Sequence, residues 1–194
     1  MQIEDIISNV QVYGLEESIK RSKYPMSTDT SACTTEPTKT TYSLGRASVG
    51  SGHDNWLNGV IVQFDLTFTN KAWVEAERYH FLDFVSSQST MHRITKFDLD
   101  KAYIEYTDPR MIEIMQQLVN QYNADPTPDN YLKVLYSNPA GFKITAGMTT
   151  NYRQLKTIYY QRRQHLLPEW KMFSEWITTL PMFKELILNE NSQN

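Results

Sequence analysis

The 194-residue sequence has a single cysteine and no long apolar run. Cys33 by itself excludes an internal disulfide and any zinc site built from several cysteines. No apolar stretch approaches the roughly 20 residues that a membrane-spanning helix requires, so no membrane partner is expected. The first residues also lack the basic and apolar regions of a signal peptide, and we therefore expect a cytoplasmic protein.

The sequence also lacks an excess of positive charge. Nineteen Lys and Arg stand against 22 Asp and Glu, which leaves a formal net charge of −3. Nucleic acid is therefore not an expected partner, because broad binding to phosphates requires surplus cations. Hydrophobic residues make up 40% and charged residues 21%, a balance typical of a folded globular chain. We expect one domain over residues 1–194, with a frayed tail at 190–194.

Apolar periodicity predicts an α+β fold that is rich in helix and has a small sheet. Residues 60–69 alternate apolar and polar side chains, which predicts a half-buried strand. Residues 111–122 repeat apolar side chains every three or four positions, which predicts an amphipathic helix capped by Asp108 and Pro109. The pattern also predicts a short strand near residues 10–12 and helices over 15–23, 71–85, 127–135, 151–165, 169–177 and 182–188.

Residues 25–52 differ from the rest of the chain. Ser, Thr, Pro and Gly dominate this long polar loop, and large apolar side chains are nearly missing from it. One interpretation is a mobile surface loop. The other is a loop that becomes ordered over a ligand, because long loops in compact domains often carry function.

Residues 77–93 contain two histidines, two carboxylates and two arginines, the densest group of potential ligands in the chain. If residues 71–85 are helical, His80 and Asp83 share one face, and their hydrogen bond would select an imidazole tautomer suited to acid–base chemistry. The alternative is a histidine that its neighbour satisfies without any catalytic role. The four histidines show neither HxH nor HExxH spacing, so no metal site is predicted.

A run of hydroxyl side chains follows at residues 86–90. It contains Ser87, Gln88 and Ser89, and Arg93 comes shortly after. Backbone N–H groups in such a turn can hold a phosphate, to which an arginine adds charge. The alternative is a polar loop with helix-capping serines.

A second cluster begins at Asn151 and Arg153 and ends with Arg162 and Arg163. Arg153 and Arg162 are nine residues apart, which on an ideal helix places them on opposite sides, about 180° apart. One helix would therefore send arginines to two surfaces or two subunits, where planar guanidinium groups suit phosphate and carboxylate. The alternative is a set of solvated basic residues near a helix C-terminus.

The two clusters, in this order, resemble the flavin-dependent thymidylate synthases. The family signature Arg-His-Arg-x-x-Ser-x-x-Glu-x-Ser-x-Arg-Tyr falls on residues 79–92. His80 matches its central histidine, and Ser89 matches its last serine. Gly52 and His53 resemble the family's Gly-His pair, which also precedes a strand.

The C-terminal half carries the resemblance further. Asn151-x-Arg153 resembles the family's Asn-x-Arg, which is followed nine residues later by an arginine and then by a tryptophan. Arg162 fits when the count starts at Arg153, whereas Arg163 fits when it runs back from Trp170, so both stay candidates.

This resemblance implies a ThyX-like α+β fold with a small, mostly antiparallel sheet and a long central helix. It implies a homotetramer that binds FAD between subunits and methylates dUMP, with NADPH and methylenetetrahydrofolate as co-substrates. The implied FAD contacts are His53, His80, Asn151 and Arg153. The implied substrate contact is Ser89, and the implied catalytic arginine is Arg162 or Arg163. From the hydroxyl-rich turn we add Ser87, Gln88 and Arg93 as further candidate substrate contacts.

The sequence departs from the signature at its charged positions. Tyr79 and Phe81 replace the two arginines beside the histidine, Ser87 replaces the glutamate, and Met91 replaces a phosphate-binding arginine. Each lost charge-assisted contact weakens binding by about 1.5–3 kcal/mol.

Three functions therefore stay open. The first is a divergent flavin-dependent methyltransferase or oxidoreductase acting on a pyrimidine nucleotide. The second is a non-catalytic nucleotide-binding or structural oligomer on the same fold. The third is a helical interaction protein whose resemblance to the family is fortuitous.

Overall fold

The computed structural model describes residues 1–188, so the tail predicted at 190–194 lies outside the described residues. No helix in this part of the chain is long and apolar enough to cross a membrane. The strands are β1 (Ile7–Tyr13), β2 (Ile61–Thr69), β3 (Asp83–Ser87) and β4 (Lys143–Asn151). The α-helices are α1 (Leu15–Arg21), α2 (Lys39–Gly45), α3 (Asn70–Ala76), α4 (Thr90–Arg93), α5 (Pro109–Ala124), α6 (Pro128–Ser137), α7 (Tyr152–Arg162), α8 (Pro168–Ile177) and α9 (Phe183–Ile187).

The strands form one four-stranded sheet in the order β1-β2-β4-β3. β1 pairs antiparallel with β2, and the register is irregular between Ser8 and Gln11. The alternation that predicts β2 is confirmed, because Val62, Phe64 and Leu66 are all at most 2% exposed. The predicted class, a helix-rich α+β fold with a small, mostly antiparallel sheet, is confirmed.

The predicted helix over residues 111–122 is confirmed as α5, the longest helix among the described residues. Its 16 residues begin at Pro109, directly after the cap residue Asp108. The Asp108 carboxylate accepts a hydrogen bond of 3.0 Å from the backbone N–H of Arg110. Proline at the first position and an acidic cap satisfy the helix start locally, which is why the sequence alone locates it.

The helix predicted over residues 71–85 is wrong beyond its first two turns. α3 ends at Ala76, Phe81 adopts a left-handed φ of +65°, and residues from Asp83 onward form β3. β3 lies beside β4 in the sheet, and the residue directly after β3 is hydrogen-bonded to β4. The backbone N–H of Gln88 donates to Thr145 O at 3.0 Å, and the Gln88 amide oxygen accepts from the Thr145 N–H at 3.0 Å.

Residues 25–52 contain α2, the 3-10 helix Thr30–Ala32 and the end of the 3-10 helix Tyr24–Met26, which the loop interpretation does not predict. Thr38 caps α2 through its hydroxyl, which accepts from the Thr41 N–H, while the Thr41 hydroxyl accepts from the Thr38 N–H. Lys23 Nζ donates to the backbone oxygens of Thr34 and Glu36. These polar contacts stabilise a segment that has too few apolar side chains for a helix to be predicted from apolar periodicity.

β4 is an inner strand that the sequence analysis does not predict. Ala146, Met148 and Thr150 alternate along one face and are at most 4% exposed. The signal is weak because Lys143, Ala146, Gly147 and Asn151 are residue types depleted in strands, although Ile144 and the threonines favour one.

The described residues divide into two compact units. The first comprises residues 1–66, 79–85 and 147–188, and the second comprises residues 67–78 and 86–146. In the core of the first unit, the Phe64 ring lies 4.7 Å from the Trp176 ring, measured between centroids. In the second, the Phe142 ring lies 5.3 Å from the Tyr103 ring.

Tyr103 provides a test of the second core. Burial raises the pKa of Tyr103 to about 12, and its hydroxyl donates to the Asn138 amide oxygen at 2.9 Å. In the unfolded chain a tyrosine ionises near pH 10. Between about pH 10 and 12 the unfolded chain therefore binds fewer protons, so the free energy of unfolding falls as the pH rises through this window.

We expect Tyr103→Phe to reduce this loss of stability between about pH 10 and 12. Urea unfolding at several alkaline pH values measures the effect. An identical pH dependence in wild type and variant would contradict the assignment.

Candidate active site

A cavity of about 190 Å³ opens in the first unit at the start of α7. Backbone and side chains from four segments of this unit meet there. The residues that the following argument uses are Gly50, Asp54, Phe81, Asn151, Arg153 and Gln154.

The chain passes from β4 into α7 at Asn151. Asn151 is extended and caps the helix, because its side-chain oxygen accepts a hydrogen bond of 2.9 Å from the Gln154 N–H. The next residue, Tyr152, is fully buried and donates its hydroxyl to Pro181 O at 2.7 Å. Burial also raises the pKa of the Tyr152 phenol above its usual range, so it stays neutral. This anchored start places Arg153 in the first turn of α7.

A buried carboxylate holds Arg153. Asp54 is 1% exposed, and its Oδ1 accepts a hydrogen bond of 3.1 Å from Arg153 Nε. The other oxygen, Oδ2, accepts from Lys156 Nζ at 2.7 Å. Lys156 is itself 1% exposed, whereas the Arg153 side chain is 34% exposed. Asp54 therefore binds one fully buried cation and one that reaches the cavity.

The charges of this cluster do not cancel. One carboxylate faces two cations, which leaves one net positive charge beside the cavity. Both cations belong to the first five residues of α7, where the helix dipole already carries partial positive charge. The cavity is therefore electropositive and suits an anionic ligand.

An aromatic ring forms another part of the cavity wall. Phe81 is 66% exposed although it is apolar, and its φ of +65° is uncommon for a residue with a side chain. A non-glycine residue held in this region costs about 1–3 kcal/mol, and such strain is concentrated at functional sites. Gly50, with a φ of +86°, turns the loop on the cavity wall without that cost.

The structure is similar to solved structures of one enzyme. Two crystal structures of the flavin-dependent thymidylate synthase ThyX from Helicobacter pylori, both with FAD and dUMP, superpose with TM-scores of 0.70 and 0.73. Sequence identity is 14% in each case, and the matches cover 93% and 96% of this chain and 100% of the other. The fold is that of ThyX. No protein-family model matches the sequence, and neither does any curated protein.

Two of the residues predicted to contact a cofactor meet in the cavity of this ThyX fold, namely Asn151 and Arg153. The other two, His53 and His80, are exposed and do not line it. The face predicted to join His80 to Asp83 does not form, because α3 ends at Ala76 and Asp83 begins a strand.

The two candidate catalytic arginines lie at the opposite end of α7. Arg162 Nε donates to the Tyr79 hydroxyl at 2.7 Å, and its guanidinium lies 4.9 Å from the Trp170 ring centroid. Arg163 is exposed, and its guanidinium lies 5.5 Å from the Tyr160 ring centroid. Tyr79, which stands where the signature has an arginine, is thus a direct partner of Arg162.

The predicted substrate contacts belong to the second unit. Ser87 ends β3, Ser89 precedes α4, and Arg93 is an exposed residue at its end. The Gln88 N–H donates to Thr145 O and is therefore not available to a phosphate. No three His, Cys, Asp or Glu side chains within residues 1–188 come together as a metal site.

Sequence reasoning missed Asp54 and Lys156. A signal for the lysine was present, since Tyr152, Leu155, Lys156 and Tyr159 follow the spacing of one helix face. A lysine among buried positions predicts a buried anionic partner. No local pattern marked Asp54, which lies 102 residues earlier in the chain.

Proposed function

We propose that this protein binds FAD and a pyrimidine nucleotide as a divergent flavin-dependent thymidylate synthase. Support for this comes from the ThyX fold together with the cavity at the start of α7. If the reaction of the parent family is retained, dUMP is the substrate, and NADPH and methylenetetrahydrofolate are the co-substrates. When bound, FAD supplies hydride transfer, while the chain binds and orients the reactants.

The observation that carries the proposal is the placement of Arg153. Its Nε is held by Asp54, and its terminal nitrogens make no hydrogen bond with the described part of the chain. Arg153 lines the cavity, and its guanidinium suits the oxygens of a diphosphate or phosphate. The exposed Phe81 ring offers an apolar surface for a planar ring system.

The cavity fits part of such a ligand rather than all of it. Its volume of about 190 Å³ is below the roughly 300–1,000 Å³ that is usual for pockets enclosing a whole small molecule. We therefore propose that further subunits of a homotetramer complete the FAD site. Size-exclusion chromatography with light scattering tests this, and a monomer that retains FAD would contradict it.

A second candidate function is a non-catalytic nucleotide-binding or structural oligomer on the same fold. One specific contact favours it. Tyr79 replaces a signature arginine and binds Arg162, one of the two arginines, with Arg163, that were expected to face the nucleotide. An arginine engaged in this way offers fewer donors to a phosphate.

Absorbance of freshly purified protein, before and after incubation with FAD and desalting, separates the two. A flavin enzyme is expected to keep a band near about 450 nm, typical of the oxidised cofactor. A protein that stays colourless after FAD loading contradicts FAD binding. Retained FAD without dUMP-dependent turnover supports the binding function over the enzyme.

A further inference from the structure

We propose that Asp54 and Lys156 act as a positioning pair for Arg153, with Asp54 orienting its guanidinium and Lys156 preserving its charge for the ligand. Neither residue belongs to the motifs that resemble the thymidylate synthases. The inference deepens the proposed function and rests on it for the identity of the ligand. The residues hold their arrangement whether or not that ligand is FAD.

Asp54 constrains the direction of the guanidinium. It accepts from Nε, the nitrogen nearest the main chain, at 3.1 Å. The other carboxylate oxygen is taken by Lys156, and neither terminal nitrogen of Arg153 is hydrogen-bonded to the carboxylate. Arg153 is 34% exposed and lines the cavity, so its terminal N–H groups, which the ion pair with Asp54 does not use, remain available to a ligand.

Lys156 decides how much charge the ligand meets. Without it, the Asp54 charge would cancel that of Arg153, and the cavity would be neutral. With Lys156 Nζ 2.7 Å from Oδ2, the carboxylate is already neutralised on its buried side. Arg153 therefore keeps one full positive charge for an anion.

Lys156 also secures a wall of the cavity. Its ammonium donates to the backbone oxygens of Gly45, at 2.9 Å, and Ala47. The chain continues from there to Val49 and Gly50, both of which line the cavity. All three ammonium protons are thus hydrogen-bonded to buried oxygens. Through these bonds Lys156 connects α7 to the end of α2 and to the Asp54 carboxylate.

The decisive variant is the double replacement Asp54→Leu/Lys156→Met. It removes one negative and one positive charge, so the net charge beside the cavity is unchanged, while the anchoring of Arg153 and the Lys156 bonds to Gly45 and Ala47 are lost. We expect the FAD dissociation constant, measured by quenching of flavin fluorescence, to rise at least about tenfold, the usual effect of losing an oriented charge-assisted contact. Native circular dichroism and a cooperative thermal transition establish that the variant is folded. An unchanged dissociation constant in the folded variant would overturn the positioning role and leave FAD binding intact.

The single variant Asp54→Asn keeps the proposal testable if the double variant does not fold. It raises the net charge beside the cavity by one, so charge alone predicts tighter FAD binding. Positioning predicts weaker binding, because the neutral amide is a poorer acceptor for Arg153 Nε. Tighter binding would therefore overturn the proposal.

A direct readout separates this inference from the proposed function. In the wild-type protein without ligand, the 15N relaxation of Arg153 Nε–Hε is expected to show a rigid side chain, and its order parameter is expected to fall below about 0.6 in the double variant. A mobile Nε–Hε in the wild type would overturn positioning even if FAD binds. A rigid one in a protein that binds no FAD would uphold positioning and contradict the proposed function.

Discussion

Arg153→Ala is expected to weaken FAD binding by one to two orders of magnitude. The substitution removes the cavity's net positive charge and the donors that suit a diphosphate, and each charged contact contributes about 1.5–3 kcal/mol. The fold should survive, because Arg153 is partly exposed and Asp54 keeps Lys156 as its buried partner. Equilibrium dialysis with FAD, with circular dichroism of the same samples, measures both effects.

Arg21→Ala is the matched control for this experiment. Arg21 lies in the same unit on α1, is exposed, and makes an i,i+4 ion pair of 3.4 Å with Glu17. Such surface pairs contribute little to stability, so FAD binding and the helical signal should both match wild type. Equal FAD affinity in the Arg153→Ala and Arg21→Ala proteins would remove Arg153 from the proposed site.

Lys156→Met is expected to lower the free energy of unfolding by about 3–5 kcal/mol, the usual loss when one partner of a buried ion pair is removed. The substitution leaves the buried Asp54 with Arg153 alone and strips the donor from the Gly45 and Ala47 carbonyl oxygens. Adding Asp54→Leu should recover much of the loss, since replacing both charges with apolar side chains is often nearly neutral. Urea unfolding followed by circular dichroism gives the three free energies.

Lys171→Met is the control, because Lys171 is an exposed residue of α8. The same chemical change there should alter the free energy of unfolding by no more than about 0.5 kcal/mol. If Lys156→Met were no more destabilising than Lys171→Met, the buried network would not contribute to the fold as described. A double variant less stable than Lys156→Met alone would contradict the charge argument in particular.

Elements with a local pattern could be predicted from the sequence. β2 and α5 have clear apolar periods of two and of three to four residues, and Pro109 marks the start of α5. α2 and β4 could not, because Thr38 and Thr41 satisfy each other in a polar segment and β4 carries small side chains. After Ala76 the spacing of apolar residues fits no single period, and residues predicted to be helical form β3, which pairs with β4.

Two of the four cofactor contacts predicted from the sequence, Asn151 and Arg153, line the cavity. The resemblance selected Asn151-x-Arg153, and in the structure Asn151 caps α7 while Arg153 lies in its first turn. His80 was predicted on a helix face that does not exist. Asp54 was missed because its role depends on two residues about 100 positions away.

By itself, then, the amino-acid sequence determined the α+β class, because apolar periodicity acts over one or two helical turns, and its resemblance to the thymidylate synthases selected Asn151 and Arg153. The tertiary structure alone decided that Asp54 and Lys156 meet under Arg153, and that Tyr79 takes Arg162 as its partner. A buried charge is stable only where its counter-charge arrives through folding. Which residues pair in this way depends on how distant parts of the chain fold together, and no local sequence pattern shows it.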